Sequence, residues 1–254
     1  MNALAVRAMR RLGRGLSRFG EAGAAWRTYR RLAAHPSPRF DLSRRDLKLV
    51  LGEASAQTEF DRHYIFHTAW AARILSRTRP VRHVDVGSSL YFVTSVSAFV
   101  PVEFVDIRPA RLDLDGLRAS AGSLAALPFG DGTVDSLSCM HVLEHVGLGR
   151  YGDPVDYDGD LVAAAELSRV LAPGGRLLLV VPVGGRARIQ FNAHRIYGPQ
   201  QIESMFSGLE LETFALIPDE ATDGDLITDP SPVLLARQRY GCGCYVLRRP
   251  AAPR

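Results

Sequence analysis

The run Arg176 to Val183, entered through Pro173-Gly174-Gly175, constrains the fold more than any other stretch of the chain. Its core, Leu177 to Val181, is apolar without alternation, the pattern of a central strand covered on both faces. It is far too short to span a bilayer. Two covered faces require helices, and the sequence alternates them with further apolar strands. Strand patterns fall at 81–86, 102–107, 117–121, 134–140, 209–217 and 244–248. Helical patterns fall at 46–52, 60–77, 161–171 and 200–206, the third offering Val162, Ala165, Leu167 and Val170 to a sheet. This order predicts an α/β fold with a mainly parallel sheet and helices on both faces.

Composition agrees with a packed domain. In 254 residues, 46% are hydrophobic and 23% charged, which excludes global disorder, a collagen-like repeat and a disulfide-stapled mini-protein. Three cysteines, Cys139, Cys242 and Cys244, are odd in number and give no disulfide framework. Cys242-Gly-Cys244 lacks a second ligand pair for zinc and reads as small residues at a turn. The N-terminus has no clean apolar stretch of the secretory kind, so the chain reads as cytoplasmic.

Charge divides the chain. Residues 1–40 hold nine arginines against the single acid Glu21, while the rest carries 22 basic and 26 acidic side chains. Ala5, Met9, Leu12, Leu16 and Phe19 share one helical face, and Arg7, Arg11, Arg14 and Arg18 the opposite one. Such a helix suits an anionic membrane surface, each basic residue adding about 1 kcal/mol. The alternative is that its apolar stripe packs on the body or on a partner subunit. Nucleic acid is not expected, since aromatic residues are barely interleaved with the arginines. The expected division is a basic helical extension over 1–54 and an α/β domain over 55–254.

Ligands of open α/β sheets bind at the carboxyl ends of the strands. The first strand ends in Asp85-Val86-Gly87-Ser88-Ser89, where Gly87 permits a tight turn and Asp85 can accept from an ammonium group. The second ends in Asp106, placed to accept both hydroxyls of a ribose. No G-x-G-x-x-G loop is present to cradle a pyrophosphate, which makes a nicotinamide-dependent oxidoreductase a poor reading. A ligand with ribose and no phosphate fits better, and S-adenosylmethionine (SAM) is one.

Longer motifs extend this. Gly122-Ser-Leu-Ala-Ala-Leu-Pro-Phe129, Asp131-Gly-Thr-Val-Asp135, His141-Val-Leu-Glu144-His145 and Leu171-Ala-Pro-Gly-Gly-Arg176 resemble the middle of class I SAM-dependent methyltransferases, over residues 60–250. Asp61-Arg-His-Tyr64, Val105-Asp-Ile-Arg-Pro109, Gly147 to Pro154 and Phe191-Asn-Ala-His-Arg195 resemble a branch without an assigned reaction, met among bacterial surface-glycan biosynthesis proteins. The resemblance implies a Rossmann-like, seven-stranded sheet and SAM as cofactor. It implies that Asp85, Gly87 and Ser88 line the methionine end, Asp106 and Ile107 the ribose, and Ser123 and Leu124 the adenine, with His141 also at the cofactor. Ser123 stands where many relatives have an acid, and Ser88-Ser89 where another glycine is common.

His141, Glu144 and His145 follow the fourth strand, where such enzymes face the donor methyl. An alcohol acceptor must lose a proton, so His141 or His145 is the candidate base and Glu144 its orienter. His63, Tyr64, Tyr151, Asn192, His194 and Arg195 are the candidate acceptor-binding residues, Arg195 being suited to phosphate. His63 and His67 lie four apart on a helix, as metal ligation permits, but no third ligand is evident; Asp153, Asp156, Asp158 and Asp160 read as a solvated acidic loop. No metal is therefore expected. The predicted reaction is O-methylation of a sugar hydroxyl on a glycan or on its nucleotide-sugar or lipid-linked precursor, at the inner face of the membrane. The rival reading is a non-catalytic scaffold whose glycine loop has decayed.

Overall fold

The computed structural model describes residues 20–53, 56 and 58–251. The chain forms two compact units, residues 1–60 and 61–254. The amphipathic pattern of residues 5–19 lies outside the described residues.

In the first unit, residues 20–33 are helical (α1) and Arg44–Asp46 form one 3₁₀ turn capped by Ser43. The helix expected over 46–52 is not there. Leu47, Leu49 and Val50 are exposed, so seven residues have no apolar face to bury and helix nucleation goes uncompensated.

The second unit carries the sheet. Its elements are α2 (Arg62–Thr78), β1 (His83–Val86), α3 (Leu90–Val96), β2 (Val102–Asp106), β3 (Leu117–Ala121), β4 (Val134–Met140), α4 (Gly159–Val170) and β5 (Leu171–Val183). There follow β6 (Arg188–Gln190), β7 (His194–Ile196), α5 (Gln201–Met205), β8 (Glu210–Ile217), β9 (Ile227–Thr228), α6 (Pro232–Arg237) and β10 (Gly241–Arg248). The strand order is β3-β2-β1-β4-β5-β10-β8-β9. Strands β1 to β5 pair in parallel; β10 inserts antiparallel between β5 and β8. The sheet thus has the seven expected strands and an eighth, the two-residue β9, paired antiparallel to the edge of β8.

Strand β5 is buried on both faces, as its unbroken apolar run predicts. Leu177, Leu179, Val181 and Val183 enter one core with α4, whereas Leu178 and Val180 enter the other with Trp70, Ile74 and Leu75 of α2. Full burial of each such side chain contributes about 1.5–3 kcal/mol. Pro173-Gly174-Gly175 does not precede the strand but bulges within it: the register with β4 jumps from Val134↔Leu171 to Ser136↔Arg176. Gly174 takes φ +80° there. Helix α4 buries Ala163, Ala164, Leu167 and Val170, while Val162 and Ala165 face solvent, so the expected apolar face is rotated by about one residue. Cys242 and Cys244 lie buried within β10, not at a turn.

The β6–β7 hairpin had no expected counterpart. Its strands are three residues long and hold arginine, glutamine and histidine, without the alternation that marks a strand. It sits beyond the carboxyl end of β5. Because β10 runs antiparallel to β5, with Gly241 opposite Val183, its first residues lie at that same edge.

Candidate active site

Two cavities open along the carboxyl ends of β1, β2 and β4. The smaller, about 220 Å³, is bounded by Gly87 after β1, Asp106 and Ile107 at β2, Ser123 and Leu124 after β3, and His141 after β4. The larger, about 640 Å³, is bounded by His63 and Tyr64 of α2, Glu144, His194 and Tyr240. Gly87, His141, His145 and Tyr151 line both.

In the smaller cavity the backbone approaches closely. Gly87 has φ +67°, and a Cβ there would meet Val142 Cγ1 at 3.0 Å. Asp106 Oδ1 accepts from the Arg108 N–H at 2.6 Å, a turn that leaves the carboxylate at the cavity wall. Ser123 Oγ accepts from Ala125 N–H at 3.1 Å, and buried Leu124 supplies an apolar surface beside it.

Asp85 requires a correction. It is fully buried and lines neither cavity. Its Oδ1 accepts from Ser88 N–H at 3.0 Å and its Oδ2 from the Ser138 hydroxyl. Burial pushes its pKa up to about 6 against those hydrogen bonds. Ser138 Oγ lies 2.8 Å from His83 Nε2, and His83 Nδ1 lies 2.8 Å from Ser136 Oγ. Since Ser138 spends its proton on Asp85, His83 donates from Nε2 and accepts at Nδ1, as a neutral imidazole. Burial favours that form, holding the His83 pKa down at about 3. Asp85 therefore braces the loop through Ser88, whose hydroxyl in turn accepts from Met140 N–H at 3.1 Å.

The histidines after β4 divide their tasks. His141 holds Glu144 Oε1 at 2.9 Å from Nδ1 and has Cys242 Sγ at 3.5 Å from Nε2, so both ring nitrogens are engaged. His145 places Nδ1 2.7 Å from the Ala193 carbonyl, which fixes the proton on Nδ1 and leaves a lone pair on Nε2. That Nε2 lies 3.7 Å from Glu144 Oε1. Burial holds the His145 pKa below the ordinary value, with Glu144 opposing. Of the two candidate bases, His145 is the one with a ring nitrogen that no hydrogen bond engages among the described residues. Aromatic rings close the larger cavity: Tyr240 stacks on His63 at 5.1 Å and on His194 at 4.9 Å, and Tyr64 stacks on His141 at 5.4 Å.

Two expected acceptor residues stand elsewhere. Arg195 is buried and clamps the loop before α4, donating to Val146 O at 2.6 Å and Tyr157 O at 2.8 Å and facing Asp160 at 3.4 Å. Asn192 is exposed in the β6–β7 turn and lines neither cavity. The acidic loop is consumed by its own backbone: Asp153 Oδ2 accepts from Gly147 N–H at 2.8 Å, and Asp156 Oδ1 from Asp158 N–H at 3.0 Å. Sequence reasoning missed Tyr240 and Cys242, for which β10 carries no local signal. It also missed Arg108, whose guanidinium lies 4.9 Å over the Tyr151 ring.

Other proteins of known structure share the sheet. NodS, an N-methyltransferase from Bradyrhizobium japonicum solved with S-adenosyl-L-homocysteine, superimposes with TM-score 0.50 at 13% identity over 88% of this chain and 97% of its own. A 1,6-didemethyltoxoflavin N1-methyltransferase from Burkholderia thailandensis, also holding S-adenosylhomocysteine, gives 0.50 at 14% over 72% and 78%. The (4+2)-cyclase SpnF gives 0.51 at 15% over 73% and 82%. The fold is that of the class I methyltransferases. That SpnF has the same fold and is named for a cyclisation shows that the fold leaves the reaction open. The family described as "Caenorhabditis protein of unknown function, DUF268" matches residues 130–226. No curated protein matches. Among the described residues no helix is long and apolar enough to cross a membrane.

Proposed function

We propose that this chain is a SAM-dependent methyltransferase that acts on an oxygen acceptor, a sugar hydroxyl of a glycan or of its nucleotide-sugar or lipid-linked precursor. The observation that carries the reading is the Asp106 carboxylate at the wall of a cavity that shares Gly87 and His141 with a second, histidine-lined one. The residues fit the cofactor: Gly87 turns at φ +67° where it lines the cavity, and Asp106 can accept from two ribose hydroxyls. Leu124 offers an apolar face to the adenine and Ser123 a hydroxyl. Bound there, SAM supplies an electrophilic methyl group. The chain's own residues then align the acceptor and take its proton, and alignment is the larger part of an in-line displacement. His145 Nε2 is the base, Glu144 stabilises the imidazolium, and Tyr64, Tyr151, Tyr240 and His194 present ring faces and polar edges to a sugar. Residues 1–35 would hold the enzyme against an anionic membrane where a lipid-borne acceptor resides, and their deletion should abolish co-flotation with anionic liposomes.

Calorimetric titration of the full chain with SAM and with S-adenosylhomocysteine tests the cofactor. Micromolar binding by the wild type and its loss in Asp106→Ala, with an unchanged thermal midpoint, is the expected result. No binding by well-folded wild type would replace this reading with that of a scaffold, for which Ser123 in the place of an acid is the favouring observation.

A further inference from the structure

We infer that His63, His141 and Cys242 form a binding site for one zinc ion, with a fourth coordination position at the larger cavity. The site does not rest on the methyl-transfer reading. His63 comes from the first turn of α2, His141 from the residue after β4 and Cys242 from the antiparallel strand β10. One ligand atom from each lies within 4.8 Å of the other two.

The spacing of the imidazole and the thiol is what an ion needs. With Zn–N of about 2.0–2.1 Å and Zn–S of about 2.3 Å, tetrahedral angles place a ligating nitrogen and sulfur roughly 3.5 Å apart. His141 Nε2 and Cys242 Sγ are 3.5 Å apart. His63 stacks nearly parallel on His141, with 5.7 Å between centroids, and among the described residues no hydrogen bond holds its ring. One of its ring nitrogens lies within 4.8 Å of both other ligand atoms.

The surroundings repeat what metal-ligating histidines require. Glu144, 1% exposed, accepts from His141 Nδ1, which fixes the tautomer with the Nε2 lone pair toward Cys242. A carboxylate behind a ligating imidazole orients it and raises its basicity. His141 itself holds φ +57°, a conformation that costs a non-glycine residue energy and is kept where surroundings demand it. An independent sign lies beside the three. His67 is fully buried, its Nε2 has no hydrogen-bond partner among the described residues, and its ring stands edge-on to His141 at 5.0 Å. A buried imidazole nitrogen left unpaired is costly unless a ligand or ion binds beside it.

The donor set selects the ion. A thiolate is a poor ligand for magnesium or calcium and a good one for zinc, and three nitrogen or sulfur protein ligands with an open fourth position are the layout of a catalytic zinc site; copper, which also takes two imidazoles and a thiolate, is the competing ion. His63 and His141 both line the larger cavity, so the fourth position takes an oxygen ligand from it. That this oxygen is the acceptor hydroxyl does rest on the methyl-transfer reading.

The test is metal content of the full chain, measured without SAM. After dialysis against zinc, elemental analysis should give one zinc per chain. Cobalt substitution should give a thiolate-to-cobalt charge-transfer band and the strong visible bands of a tetrahedral ion. Cys242→Ser should remove the charge-transfer band and weaken zinc at least tenfold, whereas Cys244→Ser, two residues along β10, should change neither. Should Cys242→Ser not fold, His63→Asn, on the cavity wall, should weaken zinc by a similar factor. Substoichiometric zinc, a cobalt complex without the thiolate band, or wild-type affinity in the variants would overturn the site. Purification with copper in place of zinc would overturn the choice of ion. Zinc bound by a protein that fails the SAM titration would uphold this site and refute the proposed reaction.

Discussion

Glu144 accepts from His141 Nδ1 at 2.9 Å through Oε1, while its buried Oε2 has no hydrogen-bond partner among the described residues. One carboxylate, 3.7 Å from His145 Nε2 as well, therefore sets the electrostatics of both histidines. Glu144→Gln keeps the volume and an acceptor for Nδ1–H but removes the charge. It should lower kcat about 10–100-fold, the cost of losing a supporting carboxylate, with SAM affinity within twofold of wild type. A parallel loss of SAM affinity in titration would show instead that the loop had moved.

Ser138 is the hinge of a buried polar chain, donating to Asp85 and facing His83 Nε2 at 2.8 Å. Ser138→Ala removes little volume but leaves a carboxylate oxygen and an imidazole N–H unpaired. Each unsatisfied buried group costs about 1–3 kcal/mol, and more when charged. Chemical denaturation should show a loss of about 2–4 kcal/mol. A loss under 0.5 kcal/mol would mean that the chain's members find other partners.

The sheet was legible wherever burial was two-sided. The apolar run of β5 announces itself, because a strand covered on both faces carries few polar residues, whereas β1 and β4 were read from their valines and leucines in spite of the buried His83, Asp85, Ser136 and Ser138 between them. That Asp106 and Gly87 line a cavity was legible by topology, since they stand at strand carboxyl ends. Asp85 misled for a physical reason: it lies inside β1, not past its end, so its carboxylate turns back onto Ser138 of the neighbouring strand. Arg195 misled because an arginine suited to phosphate is equally suited to a cluster of loop carbonyls. Cys242 and Tyr240 were not legible at all. They reach the site only because β10 enters the sheet backwards beside β5, and a pairing of residue 242 with 182 leaves no local trace.

Gly87 tests the cofactor loop. With φ +67° and Val142 Cγ1 at 3.0 Å from the place of a Cβ, Gly87→Ala strains the backbone and presses on the residue next to His141. The left-handed conformation alone costs roughly 1–2 kcal/mol. SAM affinity should fall at least tenfold by calorimetry, with a lower thermal midpoint. Unchanged affinity would remove Gly87 from the cofactor site.

His145 gives the pH dependence, with the sign set by its surroundings. Burial lowers its pKa below 6.5; Glu144 and the Ala193 carbonyl act to raise it, and Arg150 and His141 to lower it. The groups around it are Glu144 at 3.7 Å, Arg150 at 3.4 Å from Nδ1, and the rings of Tyr151 and His194 at 5.6 and 6.2 Å. The neutral base is thus the form present at pH 7, and kcat should fall only on the acid side, along a limb placed below pH 6.5. Glu144→Gln withdraws a negative charge that favours the imidazolium, so the limb should move to lower pH. Arg150→Gln withdraws a positive charge, so it should move to higher pH. His145→Asn should erase the limb and lower kcat about 100-fold or more. Opposite displacements in the two charge variants are what a base at this position requires, and pH–rate profiles of the four proteins measure them. A limb that stays in place in both variants belongs to another group, and His145 would then not be the base.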